Sequence, residues 1–154
     1  IDDYKSYYNY KDSDKIKYMQ NLHYDPTTFD ADYDANGTEY SSFPLLCEDN
    51  VYDVLISDKA GVECCSWINL IHPLDTYDGT LKTLFEGELK DRVVTAQDSA
   101  NHTSAYAINI SGTDFANRMN LGYNDVYLSF PGNSEENVDH IIKLLNYIFD
   151  LGIE

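Results

Sequence analysis

The alternation of apolar and polar positions becomes regular only from Phe43 onward. Residues 51–57 predict a strand, with Tyr52, Val54 and Ile56 on one face and Asp53 and Ser57 on the other. Asp58-Lys59-Ala60-Gly61 has the composition of a turn. Residues 62–71 then read as a long strand with Val62, Cys64, Ile68 and Leu70 on one face and Cys65, Trp67 and Ile71 on the other. Together these stretches predict a hairpin covered in part on both faces. Thr80 opens a helix whose stripe is Leu81, Leu84, Phe85 and Leu89, with Gly87 inside it at a cost of about 1 kcal/mol relative to alanine.

Residues 104–111 alternate again and place Tyr106, Ile108 and Ile110 on one side. Residues 125–130 do the same with Val126, Leu128 and Phe130. Residues 113–121 are ambiguous: Phe115, Asn117, Met119 and Leu121 suit a strand, and a short helix is the alternative; Gly122-Tyr123-Asn124-Asp125 follows as a turn. Asn133 or Ser134 caps a last helix, with Glu135 and Glu136 in the first turn, where negative charge suits the helix dipole. Val138, Ile141, Ile142, Leu145 and Phe149 form its buried stripe, widened by Leu144 and Ile148, and Gly152 stands where a left-handed cap would end it. So wide a stripe lies against a sheet. The fold class that follows is α+β: an antiparallel sheet covered by two main helices, with the C-terminal helix packed on the sheet.

The first 42 residues are different. They carry eight of the 14 tyrosines and no sustained apolar period. Residues 1–14, with Tyr4, Tyr7, Tyr8 and Tyr10, read as a linker or an arm lying on the surface. Ile16, Met19, Leu22 and His23 make a short helix that Asp25-Pro26 stops. The organisation is thus a Tyr-rich acidic arm over residues 1–42 and an α+β domain over residues 43–154. The first residue is Ile1 rather than Met, as removal of a signal peptide or trimming at a domain edge would leave it.

Charge narrows the function. Ten basic residues stand against 27 acidic ones, a net charge of −17. Such an exterior repels polyanions, which argues against nucleic acid or an anionic membrane as partner. No apolar run reaches the roughly 20 residues of a membrane span, although a lipid anchor upstream is compatible with the sequence.

The most specific local motif is Asp32-Tyr33-Asp34-Ala35-Asn36-Gly37, the opening half of an EF-hand-type calcium loop. Alternate residues put side-chain oxygens around one centre and the glycine permits the sharp turn. Asp32, Asp34 and Asn36 are the candidate ligands, with the Thr38 carbonyl as a fourth; Phe43 stands where the bidentate glutamate belongs, so Glu39, Glu48 or Asp49 would have to complete the shell. The competing reading is a solvated acidic turn.

Three cysteines, Cys47 and the adjacent Cys64 and Cys65, are too few for a disulfide scaffold, and at most one of the adjacent pair can easily meet Cys47. They read as a core thiol plus a half-exposed one. A nucleophilic Cys64 or Cys65 working with His72 is disfavoured by Glu63, Asp75 and Asp78, which oppose a thiolate. His140, beside Asp139 and one position off the stripe, reads as a surface residue. The sequons at Asn36, Asn101 and Asn109 carry meaning only in a glycosylating secretory pathway.

Residues 62–71, 105–110 and the run Val126-Tyr127-Leu128-Ser129-Phe130 with the helix after it resemble the PsbP/Mog1-like family of small domains. The resemblance implies a final helix covering an antiparallel sheet, and the company of secreted or lipid-anchored bacterial proteins of mostly non-catalytic role. It carries no functional residue over. The sequence therefore leads first to a non-enzymatic domain, exported or at the cell surface, that binds a protein or small ligand. Second comes a cytosolic acidic immunity or inhibitor protein that neutralises a basic partner. An enzyme built on Cys64 or Cys65 with His72 comes last.

Overall fold

The computed structural model describes residues 2–8 and 43–153. The helix predicted from Ile16, Met19, Leu22 and His23, the calcium loop of Asp32, Asp34, Asn36 and Thr38, and the Asn36 sequon lie outside the described residues.

The fold is α+β, as the periodicities predict. Strands β1 (Leu55–Ser57), β2 (Val93–Gln97), β3 (Thr103–Asn109) and β4 (Tyr127–Ser129) form one sheet in the order β1-β4-β3-β2, antiparallel at every pairing. Helices cover both faces. On one lie α4 (Gly79–Glu86), α5 (Asp114–Met119) and the long α6 (Glu135–Phe149), whose Leu81, Leu84, Phe85, Ala116, Ile141 and Leu145 pack on Ile108 and Leu128. On the other lie α2 (Phe43–Glu48) and α3 (Lys59–Trp67), whose Phe43, Cys47, Val62 and Cys65 pack on Ala96, Tyr106 and Ala107. A further short helix, α1 (Asp2–Tyr7), lies on α6.

The predicted hairpin over residues 51–71 is corrected. Asp58 opens no turn: it caps α3, its carboxylate accepting from the Gly61 N–H at 2.9 Å. As a helix, residues 59–67 set Val62 and Cys65 one turn apart on the sheet side. They also bring Ser66 Oγ to the Glu63 and Gln97 carbonyls at 3.1 and 2.9 Å. Gly61 serves close approach, since a Cβ there would come within 2.5 Å of the Ser57 Cβ. One of the three stretches behind the family resemblance, residues 62–71, therefore starts as helix.

Two further face assignments change. Tyr52 packs with Phe43, ring centroids 5.8 Å apart, on the α2–α3 side, whereas Val54 and Ile56 join the α6 side and Asp53 turns toward α6. In β3, Val94 pairs with Ala107 and Thr95 with Ala105, so Tyr106 is an extra residue at a β-bulge. The bulge breaks the alternation: Tyr106 and Ala107 pack on the α2–α3 side, and Ile108 and Ile110 on the other. Residues 93–97 are a strand that the pattern did not single out. Residues 113–121 resolve to the helix α5, capped by Thr113 Oγ1, which accepts from the Ala116 N–H.

α6 matches its reading closely. Ser134 is the N-cap in a capping box with Asn137. Ile141 and Leu145 are fully buried. The left-handed cap is Asp150 rather than Gly152, with Gly152 left-handed two residues later. Gly87 ends α4 as its C-cap instead of lying inside it, and Leu89 is buried beyond the helix. Among the described residues no helix is long and apolar enough to cross a membrane.

Candidate functional site

Two places on the described surface bring functional side chains together. The first is an aromatic seam. Tyr4, Tyr7 and Tyr8 recur at the three- and four-residue spacing that aligns side chains on one face of a helix. A six-residue helix is far too short to persist alone in water, so its order comes from what it touches. Tyr4 and Tyr7 set their rings edge-on to Tyr147 of α6 at 5.2 and 5.3 Å, and Phe115 of α5 reaches the same ring at 6.1 Å. Edge-to-face pairs of this kind contribute about 0.5–1.5 kcal/mol each beyond their buried area. Tyr8 Oη donates to the Lys143 carbonyl and accepts from Asn146 Nδ2 at 3.1 Å. Tyr7 stays 52% exposed, and Leu121 and Tyr123, on the turn after α5, are also exposed. The seam thus leaves Tyr7 open on an acidic protein, while Tyr123 lies toward Asp58, the cap of α3.

The second place is a polar node where α6 begins. Asn137 Nδ2 donates to the Asn50 carbonyl at 2.9 Å and to Asp53 Oδ1 at 2.8 Å. His140, one turn further, sets Nδ1 3.0 Å from both Asp53 oxygens. His140 is therefore a half-buried partner of Asp53 rather than a free surface residue; the missed signal was Asp53, which strand alternation had pointed the other way. An oriented carboxylate–imidazole pair can pass a proton. The described thiols do not complete a nucleophilic set with it, because Cys47 and Cys65 lie in the layer on the opposite face of the sheet. At 38% and 35% exposure the pair contributes at most about 1 kcal/mol to stability.

The other sequence candidates are spread apart. His72 turns its ring to Tyr77, centroids 6.5 Å apart, and hydrogen-bonds the Pro131 carbonyl. Burial lowers its pKa, only partly offset by that bond. The three thiols are all buried, so none is half-exposed as the composition suggested. Burial, followed by the charge of Glu48, pushes the Cys47 thiol up to about 12; burial, followed by Cys47 and Cys64, raises Cys65 further. These thiols are poor nucleophiles.

Linkage gives the sign of the pH effect. A thiol whose pKa is higher folded than unfolded keeps its proton in the native state after the unfolded chain has lost it. That contribution to stability is complete below pH 9 and is lost as the pH rises from 9 toward 12. Urea midpoints measured between pH 7.5 and 10.5 should therefore fall above pH 9, and the fall should shrink in a Cys47→Ala, Cys65→Ala chain; an unchanged slope would contradict the assignment.

The two described sequons differ in accessibility. Asn101 sits at the exposed tip of the β2–β3 hairpin in a left-handed conformation. Asn109 lies at the end of β3 with its Oδ1 already accepting from the Ser111 N–H at 2.9 Å. Secretion of the chain from a glycosylating host should modify Asn101 in preference to Asn109, as peptide mass spectrometry will read; the reverse order would refute it. Among the described residues no group of three or more His, Cys, Asp or Glu is placed to hold a metal ion. No family model matches the chain, and neither does any curated protein or solved structure.

Proposed function

We propose that this chain is a non-enzymatic domain, exported or held at the cell surface, that binds a protein or small ligand through its aromatic seam. The observation that carries the reading is Tyr7, packed edge-on to Tyr147 yet 52% exposed. Tyrosine suits such a face because it offers large contact area at little rotamer cost. The buried, high-pKa thiols and their separation from His140 support binding over thiol catalysis. A net charge of −17 favours a partner with basic or neutral contact groups.

The test has two arms. The product of the whole gene, probed on intact cells with a membrane-impermeant amine label, should be labelled; exclusive recovery in the unlabelled cytosol would overturn the location. A peptide and glycan array probed with the chain and with Tyr7→Ser should reveal binders that weaken about tenfold or more in the variant, a change of about 1.4 kcal/mol. Binding indifferent to Tyr7→Ser would move the site elsewhere. The second reading, a cytosolic acidic inhibitor of a basic toxin, draws on the charge alone. It predicts tight binding to a member of a panel of basic nucleases that fades as salt rises.

A further inference from the structure

The two ends of the described chain meet at one buried side chain. Asn146 is 4% exposed on α6, and both ends of its amide are used. Nδ2 donates to Tyr8 Oη at 3.1 Å, and that hydroxyl in turn donates to the Lys143 carbonyl. Oδ1 accepts from the Ile153 N–H at 3.1 Å, seven residues further along. This bond folds residues 151–153 back so that Leu151 and Ile153 pack on the α6 side of the core. The partners also fix which way the amide points, since only one orientation offers a donor to Tyr8 Oη and an acceptor to Ile153.

We infer that Asn146 is a two-ended latch that couples the docking of α1 to the closure of the C-terminal tail. With α1 in place, the covered Nδ2 needs the Tyr8 oxygen. When α1 leaves, water replaces that oxygen, the amide is no longer pinned in the one orientation that serves Ile153, and the Ile153 N–H loses a fixed acceptor. α1 has six residues, too few to persist alone in water, and its contacts with α6 include aromatic edges and one hydroxyl. Whatever competes with Tyr4 and Tyr7 for the Tyr147 ring therefore also loosens residues 151–153. An event at the seam is transmitted to the opposite end of the sequence through a single side chain. The coupling is independent of where the protein resides and of what it binds.

Amide hydrogen exchange followed by NMR on the 154-residue chain tests this. Tyr8→Phe deletes one oxygen and keeps the ring; it should speed exchange at Ile153 about fivefold, the worth of one ordinary hydrogen bond, while Ile141 and Leu145 keep their protection. Tyr7→Ser weakens the docking of α1 without touching Asn146, and it should raise Ile153 exchange in step with exchange at the Tyr8 N–H, which is bonded to the Tyr4 carbonyl. If Ile153 exchange stays at its wild-type rate in Tyr8→Phe, the latch does not exist. If Tyr7→Ser exposes the Tyr8 amide and leaves Ile153 protected, the two ends are held separately and the coupling is overturned.

Discussion

Phe130→Ala should lower the unfolding free energy by about 3–5 kcal/mol, the usual range for emptying a buried phenylalanine site. For a chain of this length that is a fall of about 10 °C in Tm. Phe130 is fully buried just past β4, with Tyr77 and Phe85 around its ring at 6.1 and 5.9 Å. Those rings come from α4 and from the turn before it, so the cavity would open between the sheet and its helical cover. The backbone there is equally committed: the Phe130 carbonyl accepts from the His72 N–H at 2.9 Å, and the Tyr77 hydroxyl donates to the Gly132 carbonyl at 2.7 Å. Little collapse is available to refill the space, which places the loss toward the upper end. Phe130→Leu, which keeps most of the volume, should cost less than about 1.5 kcal/mol. Urea titrations at constant m decide it, and equal losses in the two variants would show that packing at this site does not set the stability.

The parts of the fold that were legible in the sequence are those where one physical signal acts alone. α6 has length, a capping serine, acids in its first turn and a wide apolar stripe, and all four point to the same helix. β4 and most of β3 are short runs of alternating large residues between turns. α3 reads as a strand in the sequence because its sheet-facing residues are small. Val62, Cys65 and Ser66 give a weak helical stripe, whereas Val62, Cys64, Ile68 and Leu70 look like an alternating strand that runs past the true helix end at Trp67. The decisive cue, the Asp58 carboxylate on the Gly61 N–H, uses the same residues that write a turn. The bulge at Tyr106 is invisible in one strand, because it is a property of the pairing with β2.

The candidate site follows the same logic. The tyrosines of the arm stood out by composition, but their seat on Tyr147 and Asn146 joins positions more than 130 residues apart, and no local pattern reports that. The sequence pattern places Asp53 and His140 on separate surfaces. Tertiary packing, which turned Asp53 out of the strand alternation and toward α6, made them partners.

Packing at the start of α6 also sets the second large effect, Gly132→Ala, expected to cost about 3 kcal/mol. The glycine is there for room: a Cβ would lie 2.5 Å from Asn137 Cγ, 2.6 Å from Asn137 Nδ2 and 2.7 Å from the Tyr52 carbonyl. Asn137 cannot yield cheaply. It is 4% exposed, its Oδ1 accepts from the Ser134 N–H and hydroxyl to close the capping box, and its Nδ2 bridges Asn50 and Asp53. Pushing it aside forfeits a cap worth about 1 kcal/mol and strands buried polar atoms for about 1–3 kcal/mol more. Asn137→Ala alone should cost about 2 kcal/mol by the same account. The two losses should not add, since the shortened side chain at position 137 vacates the space that the new methyl needs, leaving only the Tyr52 carbonyl to move. The double variant should therefore be more stable than the sum of the singles predicts by about 1 kcal/mol or more, within the range of directly coupled neighbours. Additive losses in that cycle would mean that the Tyr52 backbone, rather than the asparagine, is what a side chain at position 132 strikes.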